Sequence, residues 1–239
     1  MPPALEVVPL HHEVLRAWCR HRREVEFPPV AVTFDHHTDI LPAFSRAASS
    51  EAERESWITE FDWRSDVSVE TALQRLRHDE HLDLALRGGV ISGSIVIAHS
   101  TENVIVETLN PQIRVAADET WPELNFLLNH PAEFRPLADR VFDSGWLAAR
   151  FAEAGFSPEA NPGFLFDLDL DYLLTADALA PVDGTLLQTM LRNAALVTVS
   201  REEEWLRLLR IDPEVTPEFL LTQLRSRMAG ADAEARLRA

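Results

Sequence analysis

Lysine is absent from the 239 residues, so all 22 basic side chains are arginine. Its absence excludes Schiff-base catalysis and the phosphate-gripping lysine of nucleotide-binding loops, since both require an amine. Cysteine is nearly absent, with Cys19 alone. One thiol makes neither an internal disulfide nor a thiolate metal cage, which fits a reducing cytoplasm and leaves Cys19 as packing. Positive charge is scarce as well: 22 basic against 39 acidic residues give a net charge of −17. Without an arginine stripe such a chain has no means of releasing counterions from nucleic acid, and an anionic membrane repels it. No apolar run approaches the roughly 18 residues of a membrane span, and Met1–Glu6 lacks a basic segment followed by an apolar one, so a soluble, cytoplasmic protein is expected. Repeats and long Gly/Ser- or Pro-rich linkers are missing too, and residues 1–239 are expected to form one domain, fraying over 229–239.

What is present is a 46% hydrophobic chain, enough to bury a core, in which short apolar runs alternate with amphipathic stretches. This alternation predicts an α/β fold of three layers around a mostly parallel β-sheet. Leu5–Val8 reads as a strand and Glu13–Arg23 as a helix, followed by a strand over Val30–Phe34. Helices are expected over Ser45–Ile58, Val69–His78 and Phe142–Ala154, the last closed by Gly155. Strands are expected over Val90–Ala98, Val104–Val106 and Gly163–Phe166. The C-terminal part reads as a helix (Leu186–Asn193), a strand (Ala195–Val199) and two helices (Glu202–Arg210 and Pro217–Met228).

Three of these strands run into metal-capable side chains: His11 and His12, then Asp35-His36-His37-Thr38-Asp39, then Asp167-Leu168-Asp169-Leu170-Asp171. Open α/β sheets bind ligands outside the carboxyl ends of their strands, so the three clusters can converge. In extended chain, residues i and i+2 share a face, which puts Asp35, His37 and Asp39 on one side and Asp167 with Asp169 on another. Gathered carboxylates repel one another, and a divalent cation resolves the conflict. Hard oxygens with one or two imidazoles suit Mn²⁺, with Zn²⁺, Fe²⁺ or Co²⁺ as competitors. His78-Asp79-Glu80-His81 reads as charged surface, and Trp121, Trp146 and Trp205 as core.

Phe34-Asp35-His36-His37-Thr38-Asp39 resembles the D-A-H-x-D motif of the arginase and ureohydrolase superfamily, and Phe166-Asp167-Leu168-Asp169 its later F-D-V-D motif. The resemblance is closest to the branch containing peptide arginases. There Pro9-Leu10-His11-His12-Glu13-Val14-Leu15 is similar to E-D-H-x-E-V-L, Phe166–Tyr172 to L-D-I-D-L-D-(F/Y), and Ser68-Val69-Glu70-Thr71 to S-I-E-N. Pro9-Leu10 and His36 depart from the superfamily's pattern without removing a ligand. The resemblance implies an arginase-like fold and two Mn²⁺ ions. One would be held by His11 and Asp39 and the other by His37 and Asp169, with Asp35 and Asp167 bridging; His12 is the alternative to His11, and Asp171 stands behind the ligands. It further implies hydrolysis of an arginine side chain in a peptide to ornithine and urea by a metal-bridging hydroxide. Glu70 and Glu202 are candidates for the guanidinium contact, because a carboxylate meets that planar fork with two hydrogen bonds. Two alternatives are a metal-dependent amidohydrolase or deacetylase, and a non-catalytic peptide-binding module with a structural metal.

Overall fold

The computed structural model describes residues 3–99, 110–118, 120–122 and 124–238. The strand expected over Val104–Val106 lies outside them. In chain order the elements are β1 (Ala4–Val8), α1 (Val14–Glu24), β2 (Val30–Asp35), α2 (Glu51–Glu60), α3 (Asp66–Arg75), α4 (His81–Arg87), β3 (Gly93–Ala98) and β4 (Ile113–Ala117). There follow α5 (Leu124–Asn129), α6 (Pro131–Ala138), α7 (Ser144–Ala154), β5 (Leu165–Asp169), α8 (Thr185–Asn193), β6 (Leu196–Ser200), α9 (Glu203–Leu209) and α10 (Pro217–Arg238). Short 3-10 turns at His11–Glu13 and Leu170–Tyr172 follow β1 and β5.

The described strands form one sheet in the order β1-β6-β5-β2-β3-β4, and every neighbouring pair is parallel. From β2 the chain steps outward through β3 and β4, then returns to lay β5 on the other flank of β2 and β6 beyond it. The reversal lies between β2 and β5, where an open sheet leaves a crevice at the strands' carboxyl ends.

Alternation along the central strands divides the interior in two. Val32 and Phe34, Phe166 and Leu168, Val197 and Val199 face one apolar cluster, filled by Phe142, Leu147 and Phe151 of the α7 region, Met190 of α8 and Leu224 of α10. Ala31, Leu165 and Leu196 face the other, with Leu15 and Trp18 of α1, Leu73 of α3 and Leu84 of α4. Helices on both faces make the fold the expected three-layer α/β sandwich. On the second face each central strand turns polar toward its end: Ala31-Thr33-Asp35, Leu165-Asp167-Asp169, Leu196-Thr198-Ser200. All six polar residues are buried.

Several boundaries differ from the sequence reading: the helix expected over Val69–His78 runs Asp66–Arg75, and the strand expected from Val90 starts at Gly93. The helix expected from Ser45 starts at Glu51, because the Ser50 side chain accepts the amide hydrogen of Glu53 and caps it there. Strand β5 extends through Asp169, so Asp167 and Asp169 lie within the ladder, opposite Thr198 and Ser200 of β6. Helix α10 continues past Met228 to Arg238. Gly155 adopts φ 62° after α7, the left-handed stop expected of it. No helix among the described residues is long and apolar enough to cross a membrane.

Candidate metal centre

The end of β1 delivers His11. Beyond the paired strands, the Arg201 amide donates to Val8 O at 3.0 Å and the Glu202 amide to Pro9 O at 3.2 Å, extending the β1–β6 pairing by two residues. The His11 amide then donates to Glu202 Oε1 at 2.9 Å, and the His11 side chain is wholly buried. Glu202 holds φ 32° and Asp39 φ 49°, left-handed conformations that side chains other than glycine adopt at a cost. Both strained residues carry carboxylates at the site.

The imidazole of His11 stands between carboxylates on both edges. Its Nδ1 lies 2.9 Å from Asp39 Oδ2, 3.2 Å from Asp35 Oδ2 and 3.3 Å from Asp169 Oδ2. Its Nε2 lies 2.8 Å from Asp167 Oδ2. One N–H at Nδ1 serves one acceptor, so three oxygens converge where one donor exists. Asp35 Oδ2 has no hydrogen-bond partner of acceptable geometry. On the other side of Asp35, His37 Nδ1 stands 3.7 Å from Asp35 Oδ1 and 3.5 Å from Asp171 Oδ2, too far for good hydrogen bonds. The ligand-capable groups are therefore His11, Asp35 and Asp169, then Asp35, His37 and Asp171, with Asp35 common to both. A third, His11, His81 and Asp167, lies on the Nε2 side.

The protonation pattern follows from burial and this crowding. Burial alone would lower the His11 pKa, but Asp167, Asp35 and Asp39 override it and raise it well above the ordinary imidazole value. For His37 burial is likewise overridden by Asp171 and Asp35, and its pKa rises to about 11. Burial would raise Asp35, yet contact with His11 and His37 holds it well below the usual range. Asp39 is pushed well up by burial and the charge of Asp35. Asp169 is pushed well up by burial and the charge of Asp171. Asp171 rises to about 6 through burial and the charge of Asp35. Five buried carboxylates against two imidazolium rings leave excess negative charge that either protons or cations must neutralise. The two groups that share Asp35, each with two carboxylates and one imidazole, fit divalent cations of the Mn²⁺ kind, and the donor set contains no sulfur.

The sequence-derived residues thus fall into distinct places. His11, Asp35, His37, Asp39, Asp169 and Asp171 converge, and Asp167 reaches the cluster from behind His11. His12 is half-buried and its Nδ1 has no partner. Of the two adjacent histidines, His11 is the one whose ring nitrogens meet the carboxylates. Glu202 sits against His11, but Glu70 does not come to the cluster: its exposed carboxylate accepts from Arg16 Nε at 2.6 Å and Nη2 at 2.9 Å, so a guanidinium of the chain itself occupies it. Trp121 is buried as expected, while Trp146 and Trp205 are partly buried against the core.

The reading of His78–His81 as surface is corrected. Asp79, Glu80 and His81 are buried, because Glu80 accepts from Ser45 Oγ and the amides of Arg46 and Arg77, and α4 is packed on nearly all sides. His81 packs on His11 with ring centroids 4.6 Å apart, its Nδ1 bonded to His78 O at 2.9 Å and its Nε2 unpartnered. Sequence reasoning also passed over His99, which is held flat between Trp121 and Tyr172 at 3.7 and 4.1 Å. The signal for His99 was the one used elsewhere, a strand of apolar residues ending in a histidine.

No protein-family profile and no curated protein matches the sequence. Among solved structures, a hypothetical agmatinase from Burkholderia thailandensis is similar to 95% of this chain and 61% of its own, at 16% identity and a TM-score of 0.43. The proclavaminate amidino hydrolase of Streptomyces clavuligerus is similar to 96% of this chain and 62% of its own, at 15% identity and a TM-score of 0.44. The chain spans about three fifths of the length of either.

Proposed function

We propose that this protein is a divalent-metal-dependent hydrolase of carbon–nitrogen bonds, of the ureohydrolase type, acting on the guanidinium of an arginine side chain within a peptide to give ornithine and urea. One observation carries the reading: at the sheet's reversal point two groups of ligand-capable atoms share Asp35, one through each of its oxygens. His11 Nδ1, Asp35, Asp39 and Asp169 form the first group, and Asp35, His37 and Asp171 the second. This assignment moves the expected aspartate pair two residues along, from Asp167 and Asp169 to Asp169 and Asp171. The shift preserves the strand face, so alternation alone is silent on it. Mn²⁺ is the proposed metal because oxygen donors dominate.

Two bound cations would supply a water acidified to near neutrality and a charge that polarises the scissile carbon. The chain's residues supply the rest. Burial of the cluster excludes bulk water and strengthens every charge interaction within it. Glu202, whose Oε1 accepts from the His11 amide, would meet the cationic fork of the substrate. The overall negative charge favours approach of a cationic substrate.

Metal content by plasma mass spectrometry, on protein purified without chelator and reloaded with Mn²⁺, tests the reading together with urea release from arginine-containing peptides. About two Mn per chain, lost in Asp35→Asn, with urea produced, is the expected result. One metal and release of an acyl group would favour an amidohydrolase. Full metal occupancy with no turnover on any arginine peptide would favour a binding module, and no metal in either protein would remove the function altogether.

A further inference from the structure

We propose that Asp167 is a positioning residue for His11: it holds the imidazole by Nε2, so that Nδ1, the nitrogen left to bind a metal, faces Asp35, Asp39 and Asp169. This rests on the metal reading above and assigns Asp167 a different task from the bridging one its motif suggests. In the ladder, Asp167 of β5 lies opposite Thr33 of β2 on one side and Thr198 of β6 on the other. All three side chains share the polar face. The Trp18 indole Nε1 donates to Thr198 Oγ1 at 3.1 Å. An indole nitrogen only donates, so the threonine hydrogen is free for Asp167 Oδ1, 2.6 Å away. On Oδ2, Asp167 accepts from Thr33 Oγ1 at 3.3 Å and from His11 Nε2 at 2.8 Å.

Asp167 is thus a carboxylate already served by three donors, in a cluster where Asp35 Oδ2 has no hydrogen-bond partner. The contrast separates a carboxylate that orients a ligand from those that await a cation. A carboxylate on the far nitrogen of a ligating histidine fixes its tautomer and raises its basicity. His81, packed at a tilt against the same ring with Trp18 5.6 Å behind it, limits the imidazole's rotation. The competing geometry places a cation on the Nε2 edge, between His11, Asp167 and the unpartnered Nε2 of His81.

Zinc, being diamagnetic, allows the decisive measurement on the whole chain. Long-range proton–nitrogen NMR of the Zn²⁺-loaded protein is expected to show His11 with hydrogen on Nε2 and metal on Nδ1. Competition titrations are expected to give Asp167→Asn two Zn²⁺ per chain with affinity lowered roughly 10–100-fold, and its Nε2 hydrogen shifted upfield as the charged acceptor is lost. Thr198→Val, which keeps the carboxylate, should move both readouts in the same direction by less, and it carries the test should Asp167→Asn fail to fold. Metal on Nε2 of His11, or loss of a metal equivalent in Asp167→Asn while wild type binds two, overturns the inference and leaves the hydrolase reading standing. Failure of wild type to bind any metal overturns both.

Discussion

Raising the pH of the metal-free protein from 7 to 8.5 should destabilise it, and the size of the loss follows from His37. Its ordinary pKa is 6.5, and beside Asp171 and Asp35 it rises to about 11 in the fold. A base whose pKa is raised by folding contributes stability that is complete below 6.5 and is lost as pH climbs toward the folded value. Across this window the unfolded chain has released that proton and the folded chain has kept it. Each pH unit then costs about 1.4 kcal/mol, or about 2 kcal/mol over 1.5 units for this one group. Asp39 and Asp169, pushed well up, act with the same sign. The histidines with lowered values, His12, His21, His36, His81 and His99, release stability only below 6.5, and the thiol of Cys19, raised to about 12, enters only above its ordinary 9. For a chain of this length about 2 kcal/mol shifts the melting temperature by roughly 4–8 °C. Melting curves followed by circular dichroism, with chelator and with Mn²⁺ at each pH, give the comparison. Metal binding displaces those protons, so the gap between loaded and metal-free protein should widen with pH. A metal-free melting temperature that stays flat or rises from pH 7 to 8.5 would refute the protonated cluster.

Three further perturbations separate the parts of the site. Asp171→Asn should reduce the metal content from two equivalents toward one while the His11 group keeps its ion; unchanged stoichiometry by plasma mass spectrometry would return Asp171 to a supporting place. Glu202→Gln keeps an acceptor for the His11 amide but removes the charge, so KM for an arginine peptide should rise roughly 10–100-fold with metal content unaltered, and steady-state kinetics check it. Trp18→Ala deletes a fully buried indole that also steadies Thr198, and urea unfolding should register a loss of about 3–5 kcal/mol.

Much of the architecture could be read from residue order. Val30–Phe34 and Phe164–Phe166 are apolar runs whose abrupt change to Asp announces both the strand end and the site, and the parallel sheet brought those ends together. Other features depended on distant partners. Asp167-x-Asp169-x-Asp171 repeats with the period of the strand, so only the positions of Thr33, Thr198 and His11 tell which aspartate is occupied by donors. His81 lies in a locally charged stretch and is buried because Glu80 turns inward to three donors, two from the distant Ser45-Arg46 pair and one from Arg77. The Arg16–Glu70 pair joins α1 to α3 across 54 positions, a separation no local pattern encodes.

The two oxygens of Asp35 look toward different neighbours, Oδ2 to His11 and Oδ1 to His37. An ion drawn to one oxygen takes electron density from the other and fixes the carboxylate plane for both. If both proposed ions bind, the two occupancies are energetically linked, and by thermodynamic necessity each alters the other's affinity by the same factor. Filling this centre with two ions would then follow a two-step isotherm with one shared coupling constant, in which an ion that favours either end of Asp35 retunes the opposite end without touching it.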